Sequence, residues 1–152
     1  MLDERYDYKE TKKNRGSGIL MHISSLPGPY GIGTLGDKAR EFADFLAAAG
    51  QKYWQLLPVG PTGYGDSPYA SFSSFAGNPY FIDLDYLVRD GLLTKEDLAP
   101  LEEGFDPEKV DYSRLYNERY PILKKAFGNF DIGNMGFQAF VAEKKDWLND
   151  YA

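Results

Sequence analysis

The chain has 152 residues, 43% of them hydrophobic and 26% charged, enough for one domain with a real core and too few for most large enzyme folds. A formal charge of -6 argues against nucleic acid, because phosphate backbones are held by clustered Lys and Arg. The lack of cysteine excludes disulfides and thiolate–zinc sites.

The one basic cluster, Lys12, Lys13 and Arg15, reads as part of a solvated tail. No apolar run approaches the roughly 20 residues of a membrane span. The start, MLDERYDYKETKK, shows no apolar segment of a signal peptide, so the cytoplasm is the expected compartment. The unusual figure is 16% aromatic residues, 12 of them tyrosine, which directs attention to stacking and amphipathic contacts.

In chain order, residues 1–17 form a polar lead-in. Gly18 to Ser24 (GILMHIS) predicts a buried strand, followed by the glycine–proline loop SLPGPYGIGTLGD. Ala39, Phe42, Ala43, Leu46 and Ala49 fall at helical spacing, with Thr34 and Asp37 as candidate caps and Gly50 as the stop. Tyr53 to Val59 (YWQLLPV) predicts a second buried strand. Strand, loop, helix and strand make a βαβ unit and hence a parallel pair.

The run Gly60 to Asp85, GPTGYGDSPYASFSSFAGNPYFIDLD, comes next. Its aromatic residues follow neither helical nor strand spacing throughout, so this is a loop that presents rings. It lies after a parallel strand, where α/β architectures bind ligands. Rings beside Ser, Asp and Asn suit a ligand with apolar faces and hydroxyl edges, such as a sugar. Phe72, Phe75 and Phe81 include anchors for the loop, while Tyr64 and Tyr69, among Gly, Asp, Ser and Pro, are the rings placed to meet a ligand.

Tyr80 to Leu84 predicts a short strand leading into a brief helix that ends at Gly91. Thr94 with Asp97 reads as a capping box. Tyr112, Leu115, Tyr116, Leu123, Ala126 and Phe127 keep a helical face that Pro121 should kink or split. A last helix starts near Phe137, with Phe140, Val141, Leu148 and Tyr151 on one side. Its apolar pattern is still running at Ala152, and one βαβ unit leaves sheet edges uncovered. The expectation is that the chain is the front part of something larger.

Two motifs invite stronger readings. Gly31 to Gly36 spells GxGxxG, the dinucleotide fingerprint. Two prolines separate it from the first strand, and no carboxylate ends the second, so a loop shaping a cleft floor is the better reading. His22, the only histidine, sits in an apolar strand and reads as a hydrogen-bonded core residue. Retaining glycosidic chemistry needs two carboxyls about 5–5.5 Å apart. Asp83 and Asp85 fit better as helix caps, and Asp66 as an acceptor for hydroxyls or for the loop backbone, so no convincing acid–nucleophile pair is visible.

SSLPGPYGIGTLG and YWQLLPVGPTGYGDSPYASFSSFAGNPYFIDL resemble the N-terminal part of bacterial and plant 4-α-glucanotransferases (amylomaltases, or disproportionating enzymes), from about Gly18 to Leu93. The helical region beyond Thr94 resembles the family's inserted subdomain more loosely. The resemblance implies an α/β chain: the N-terminal part of a (β/α)8 TIM barrel over 18–93, then the start of a helical inserted subdomain over 94–152. It implies retaining transfer of an α-1,4-glucan segment to another glucan's 4-hydroxyl, with no metal or organic cofactor; the charge and hydropathy above already speak against nucleic acid and membrane as partners.

By position in the motif, Ser67 and Tyr69 correspond to substrate-binding residues on the donor side. Asp66 lies between them and Tyr64 and braces the loop, and Tyr64 corresponds to a secondary glucan-binding residue. The family's catalytic carboxylates sit on later barrel strands, so the resemblance implies no catalytic residue in this chain. A free-standing α-glucan-binding module and a nucleotide-binding domain on Gly31 to Gly36 are the alternatives.

Overall fold

The computed structural model describes residues 15–151; Lys12 and Lys13 and most of the polar lead-in lie outside them. The architecture is mixed α/β. Strand β1 (Gly18–Leu20) pairs in parallel with β2 (Tyr53–Gln55), Gly18 lying opposite Tyr53. Helix α1 (Asp37–Ala48) connects them, which is the expected βαβ order.

Both strands are shorter than their apolar runs. The last rung beyond β1 is Met21 N–H to the Gln55 carbonyl, 3.1 Å. The chain then tightens into a 3-10 turn at Ile23–Ser25. β2 ends at Gln55, and Pro58, three residues on, has no N–H to give a ladder. The Trp54 indole donates to the Met21 carbonyl at 2.7 Å and meets Phe42 of α1 edge-on at 5.0 Å. Trp54 thus ties the two strand segments to each other by its hydrogen bond and to the helix by its ring contact.

The expected caps of α1 are corrected. Gly36 is the N-cap and supplies no side chain; Thr34 instead donates its hydroxyl to Asp83 at 2.6 Å. A Cβ on Gly36 would overlap that carboxylate, so glycine here lets Asp83 come up to the start of the helix. Gly50, in the left-handed region at φ 70, ends the helix as expected.

No strand forms at Tyr80–Leu84. Pro79–Phe81 is a 3-10 turn, and helix α2 (Leu84–Arg89) follows. Two caps override the extended alternation: Asn78 accepts from Tyr80 N–H at 3.0 Å, and Asp83 from Tyr86 N–H at 3.1 Å. Asp97 accepts from Thr94 N–H at 2.9 Å, which is the reach-back half of a capping box. It precedes a 3-10 turn at Glu96–Leu98 and helix α3 (Ala99–Glu102).

Helix α4 (Tyr112–Asn129) runs unbroken through Pro121, so the helix is not split. Its buried residues are Leu115, Arg119, Ile122 and Ala126, a stripe that packs on both sides of the proline while the Pro121 ring faces outward. Tyr116 and Phe127, assigned to that face from the sequence, are exposed instead. Helix α5 (Met135–Tyr151) buries no residue. It leans on the aromatic loop through two stacked pairs, Phe72 with Tyr151 and Phe75 with Trp147, at 6.1 and 5.6 Å.

Two buried clusters hold the molecule together. One joins Ile23, Leu26, Ile32, Ala39, Tyr80 and Phe81 to Leu115 of α4. The other joins Tyr30 and Leu84 to Leu93, Leu98, Leu101, Ile122 and Ala126. The helical segment therefore shares its core with the βαβ unit. Between the clusters, Arg119 is fully buried and donates to the Ile82 carbonyl at 2.5 Å. Burial pushes its pKa down to about 10, so it remains a cation at neutral pH.

Candidate functional site

The aromatic loop is closed at its base by Asn78 N–H to the Val59 carbonyl, 2.8 Å, and at its neck by an antiparallel bridge between Thr62 and Ser71. The tip is two turns in succession, Asp66 N–H to Gly63 and Ala70 N–H to Ser67, at 3.1 and 3.0 Å. Asp66 has φ 51, the only non-glycine residue with positive φ among the described residues. Aspartate tolerates this region, and Thr62 donates its hydroxyl to the Asp66 carboxylate at 3.2 Å. Asp66 thus braces the loop.

Several hydroxyls offered by the sequence are used by the loop itself. Ser71 donates to the Ser73 carbonyl at 2.7 Å, and the Ser73 hydroxyl accepts from Phe75 and Ala76 N–H at 3.2 and 3.1 Å. Ser67 is exposed and accepts one long bond, from Tyr69 N–H at 3.4 Å. Tyr64 and Tyr69 stand out into solvent at 109% and 75% exposure. Among Phe72, Phe75 and Phe81, of which some were expected to anchor the loop, Phe81 is buried; Phe72 and Phe75 are exposed and stack on α5.

Two cavities flank the loop tip, and Asp66 lines both. The larger, about 710 Å³, lies between the tip and α4, and its walls include Tyr64, Tyr80, Tyr112, Tyr116 and Tyr120. Tyr120 meets Tyr80 and Tyr116 edge-on, each at 5.4 Å. Burial raises the Tyr80 pKa to about 12 and pushes Tyr112 and Tyr120 upward, so these phenols stay protonated. The cleft offers neutral hydroxyls and ring faces, and its volume is that of a small-molecule site. The sequence signal for its far wall is Tyr112, Tyr116 and Tyr120 at i, i+4 and i+8; the sequence reading places Tyr112 and Tyr116 on a helical face and misses Tyr120.

The smaller cavity, about 140 Å³, sits beyond the C-terminal ends of β1 and β2 and is lined by His22, Leu57, Pro58, Thr62, Pro68 and Asn78 among others. Ser67 and Tyr69 line neither cavity but flank Pro68, which lines this one. His22 is buried, its ring edge-on to Phe81 at 5.3 Å, and burial lowers its pKa. It is a core residue, as expected, and its Nδ1 has no hydrogen-bond partner among the described residues.

The other candidates are resolved by their contacts. Asp83 caps α2, as expected, and Asp85 accepts from the Tyr30 hydroxyl at 2.8 Å. In the GxGxxG run, a Cβ on Gly33 would overlap the Ile23 and Leu26 carbonyls. These glycines pack inward, and the Asp83 carboxylate stands at the start of α1 where a dinucleotide's phosphates would go. Among the described residues, no helix is long and apolar enough to cross a membrane.

The 4-alpha-glucanotransferase family model matches residues 21–152. A 4-alpha-glucanotransferase of Clostridium butyricum is 55% identical over 133 residues, which is 87% of this chain and 27% of that protein. One from Thermus thermophilus is 51% identical, covering 91% of this chain and 28% of that one. The solved structure of amylomaltase from Streptococcus agalactiae in complex with acarbose superposes with a TM-score of 0.82 at 45% identity, over 91% of this chain and 28% of that one. The chain thus spans a little over a quarter of the length of these relatives. With the match running from Met21 through both clusters and the loop, the chain belongs to the 4-alpha-glucanotransferase family.

Proposed function

We propose that this chain supplies the glucan-binding wall of a cytoplasmic 4-α-glucanotransferase, which transfers a segment of an α-1,4-glucan to the 4-hydroxyl of an acceptor. Residues 18–93 form the first βα units of a (β/α)8 barrel, and 94–152 begin an inserted helical subdomain. Ser67 and Tyr69 contact the donor glucan, Asp66 holds them in place, and Tyr64 takes a second glucan in the tyrosine cleft. The observation behind this reading is the exposed, internally braced loop at the C-terminal ends of a parallel strand pair, in a chain of this family.

A retaining transfer needs a nucleophile and an acid about 5–5.5 Å apart. The aspartates near the loop are committed to other work: Asp83 to a cap, Asp85 to Tyr30 and Asp66 to Thr62. The chain by itself therefore binds glucan without cleaving it. Incubation with maltotriose, with released glucose as the readout, should stay blank, while calorimetry with maltoheptaose should show binding that weakens in Tyr69→Ala. Turnover by these 152 residues, or no heat of binding, would overturn the proposal.

A further inference from the structure

Phe72 and Phe75 keep most of their surface outside the core, at 66% and 70% exposure, yet neither is idle. Phe72 lies flat on Tyr151 of α5, with ring planes 14° apart, and Phe75 on Trp147, with planes 20° apart. Trp147 and Tyr151 also meet each other, tilted at 6.2 Å, because residues i and i+4 share one face of a helix. The helix thus offers a rack of two rings, and the loop sets two rings against it. Stacked pairs prefer a narrow range of geometries, so they place the backbones that carry them as well as covering area.

The position of these rings in the loop decides what they can do. Phe72 follows Ser71, which bridges to Thr62 at the neck, and Ala70 just before it closes the turn at Ser67. Phe75 lies between that neck and the closure at Asn78. The hydrogen bonds along this return limb join residues two or three apart. They shape the limb locally, while the two stacks tie it to a separate element. Trp147 and Tyr151 line neither cavity beside the tip, so any effect they have on a ligand there passes through the loop. Helix α5 buries no residue, so moving it opens neither buried cluster.

We propose that Trp147 and Tyr151 are positioning residues for glucan binding. Through Phe75 and Phe72 they hold the return limb, and so set where Ser67 and Tyr69 stand at the tip. The inference rests on the glucan reading above, and linkage makes the coupling reciprocal: a glucan that settles on the tip moves Trp147 in turn. The sequence has two tryptophans. The other, Trp54, is held between the strands and α1 and serves as an internal control.

The test labels the chain with 5-fluorotryptophan, which gives two 19F signals that Trp147→Phe assigns, and titrates maltoheptaose by NMR beside calorimetry. The Trp147 signal should shift along the calorimetric isotherm while that of Trp54 stays. Trp147→Leu should bind about three- to tenfold more weakly, the factor one aromatic pair supplies; Trp147→Phe keeps a ring for Phe75 and should stay within about twofold. Phe75→Leu should silence the Trp147 response, and a response that persists would mean that glucan touches Trp147 directly, which overturns the positioning role. Heat of binding with an unmoved Trp147 signal also overturns that role and leaves the glucan reading standing. No heat overturns that reading, and this inference with it. The wild-type signal decides the matter even where Trp147→Leu fails to fold.

Discussion

Tyr64→Ala separates binding from folding. The Tyr64 side chain stands fully in solvent, so its removal should leave stability within about 0.5 kcal/mol of wild type. A tyrosine buries about 150–250 Å² when enclosed. One ring face laid on a sugar is roughly a third of that, about 60 Å². At about 25 cal/mol per Å² this face contributes about 1.5 kcal/mol, or about a tenfold change in Kd. Tyr64→Phe keeps the face and should stay within about twofold. The opposite wall carries Tyr116, 65% exposed, and Tyr116→Ala should weaken binding by a comparable factor. Calorimetry with maltoheptaose beside urea melts reads both quantities. A Tyr64→Ala chain that binds as tightly as wild type would remove the ring from the site. One that melts like a core variant would show that the side chain holds the fold.

Asp83→Ala removes a helix cap and the acceptor for Thr34, each worth about 1 kcal/mol, so unfolding free energy should fall by about 2 kcal/mol. Asp83→Asn, which can still cap, should lose less, and equal losses in a urea melt would contradict the cap. Gly33→Ala drives a methyl into two carbonyls and should destabilise by about 2–3 kcal/mol. Gly63→Ala meets nothing nearer than 3.8 Å and should melt like wild type; the reverse order would refute the packing argument. His22 is held neutral by burial, with its pKa lowered from 6.5. The unfolded chain then binds the extra proton first, so stability contributed by the neutral ring is present above about pH 6.5 and is lost as pH falls towards the folded pKa. His22→Gln should flatten that part of the pH profile, and an unchanged slope would mean another group titrates there.

The βαβ order, the stop at Gly50 and the loop at Gly60 to Asp85 were legible because each rests on local chemistry: helical spacing, a left-handed glycine, proline and serine density. The strand lengths were not. GILMHIS and YWQLLPV are apolar along their whole length, yet a strand lasts only where a neighbour offers hydrogen bonds. Among the described residues β1 and β2 have only each other. Helix α4 shows the converse error. Its aromatic and apolar residues define two stripes, and composition cannot tell which one faces inward. The inward stripe contains Arg119, a residue no hydrophobic pattern would select, because its guanidinium meets the Ile82 carbonyl from the far end of the loop. Tyr116 was then left outside, and the tyrosine cleft with it.

The fate of the serines bears on how the loop can recognise a sugar. Read as sequence, the serines of the loop were hydroxyls suited to a sugar, and only Ser67 was singled out, by the family resemblance. In the fold, Ser71 and Ser73 satisfy backbone groups of the loop, and Asp66, held by Thr62, accepts a positive φ to turn the tip. A loop that carries Gly60, Gly63, Gly65 and Gly77 would lose much conformational entropy on binding were it not already ordered. Spending those side chains on internal bonds lowers that cost before any ligand arrives. It also leaves the ligand few partners on the tip itself: the Ser67 hydroxyl and the faces of Tyr64 and Tyr69. On the glucan reading proposed above, further polar contacts would come from the wall behind the tip, where α4 presents the phenols of Tyr112, Tyr116 and Tyr120.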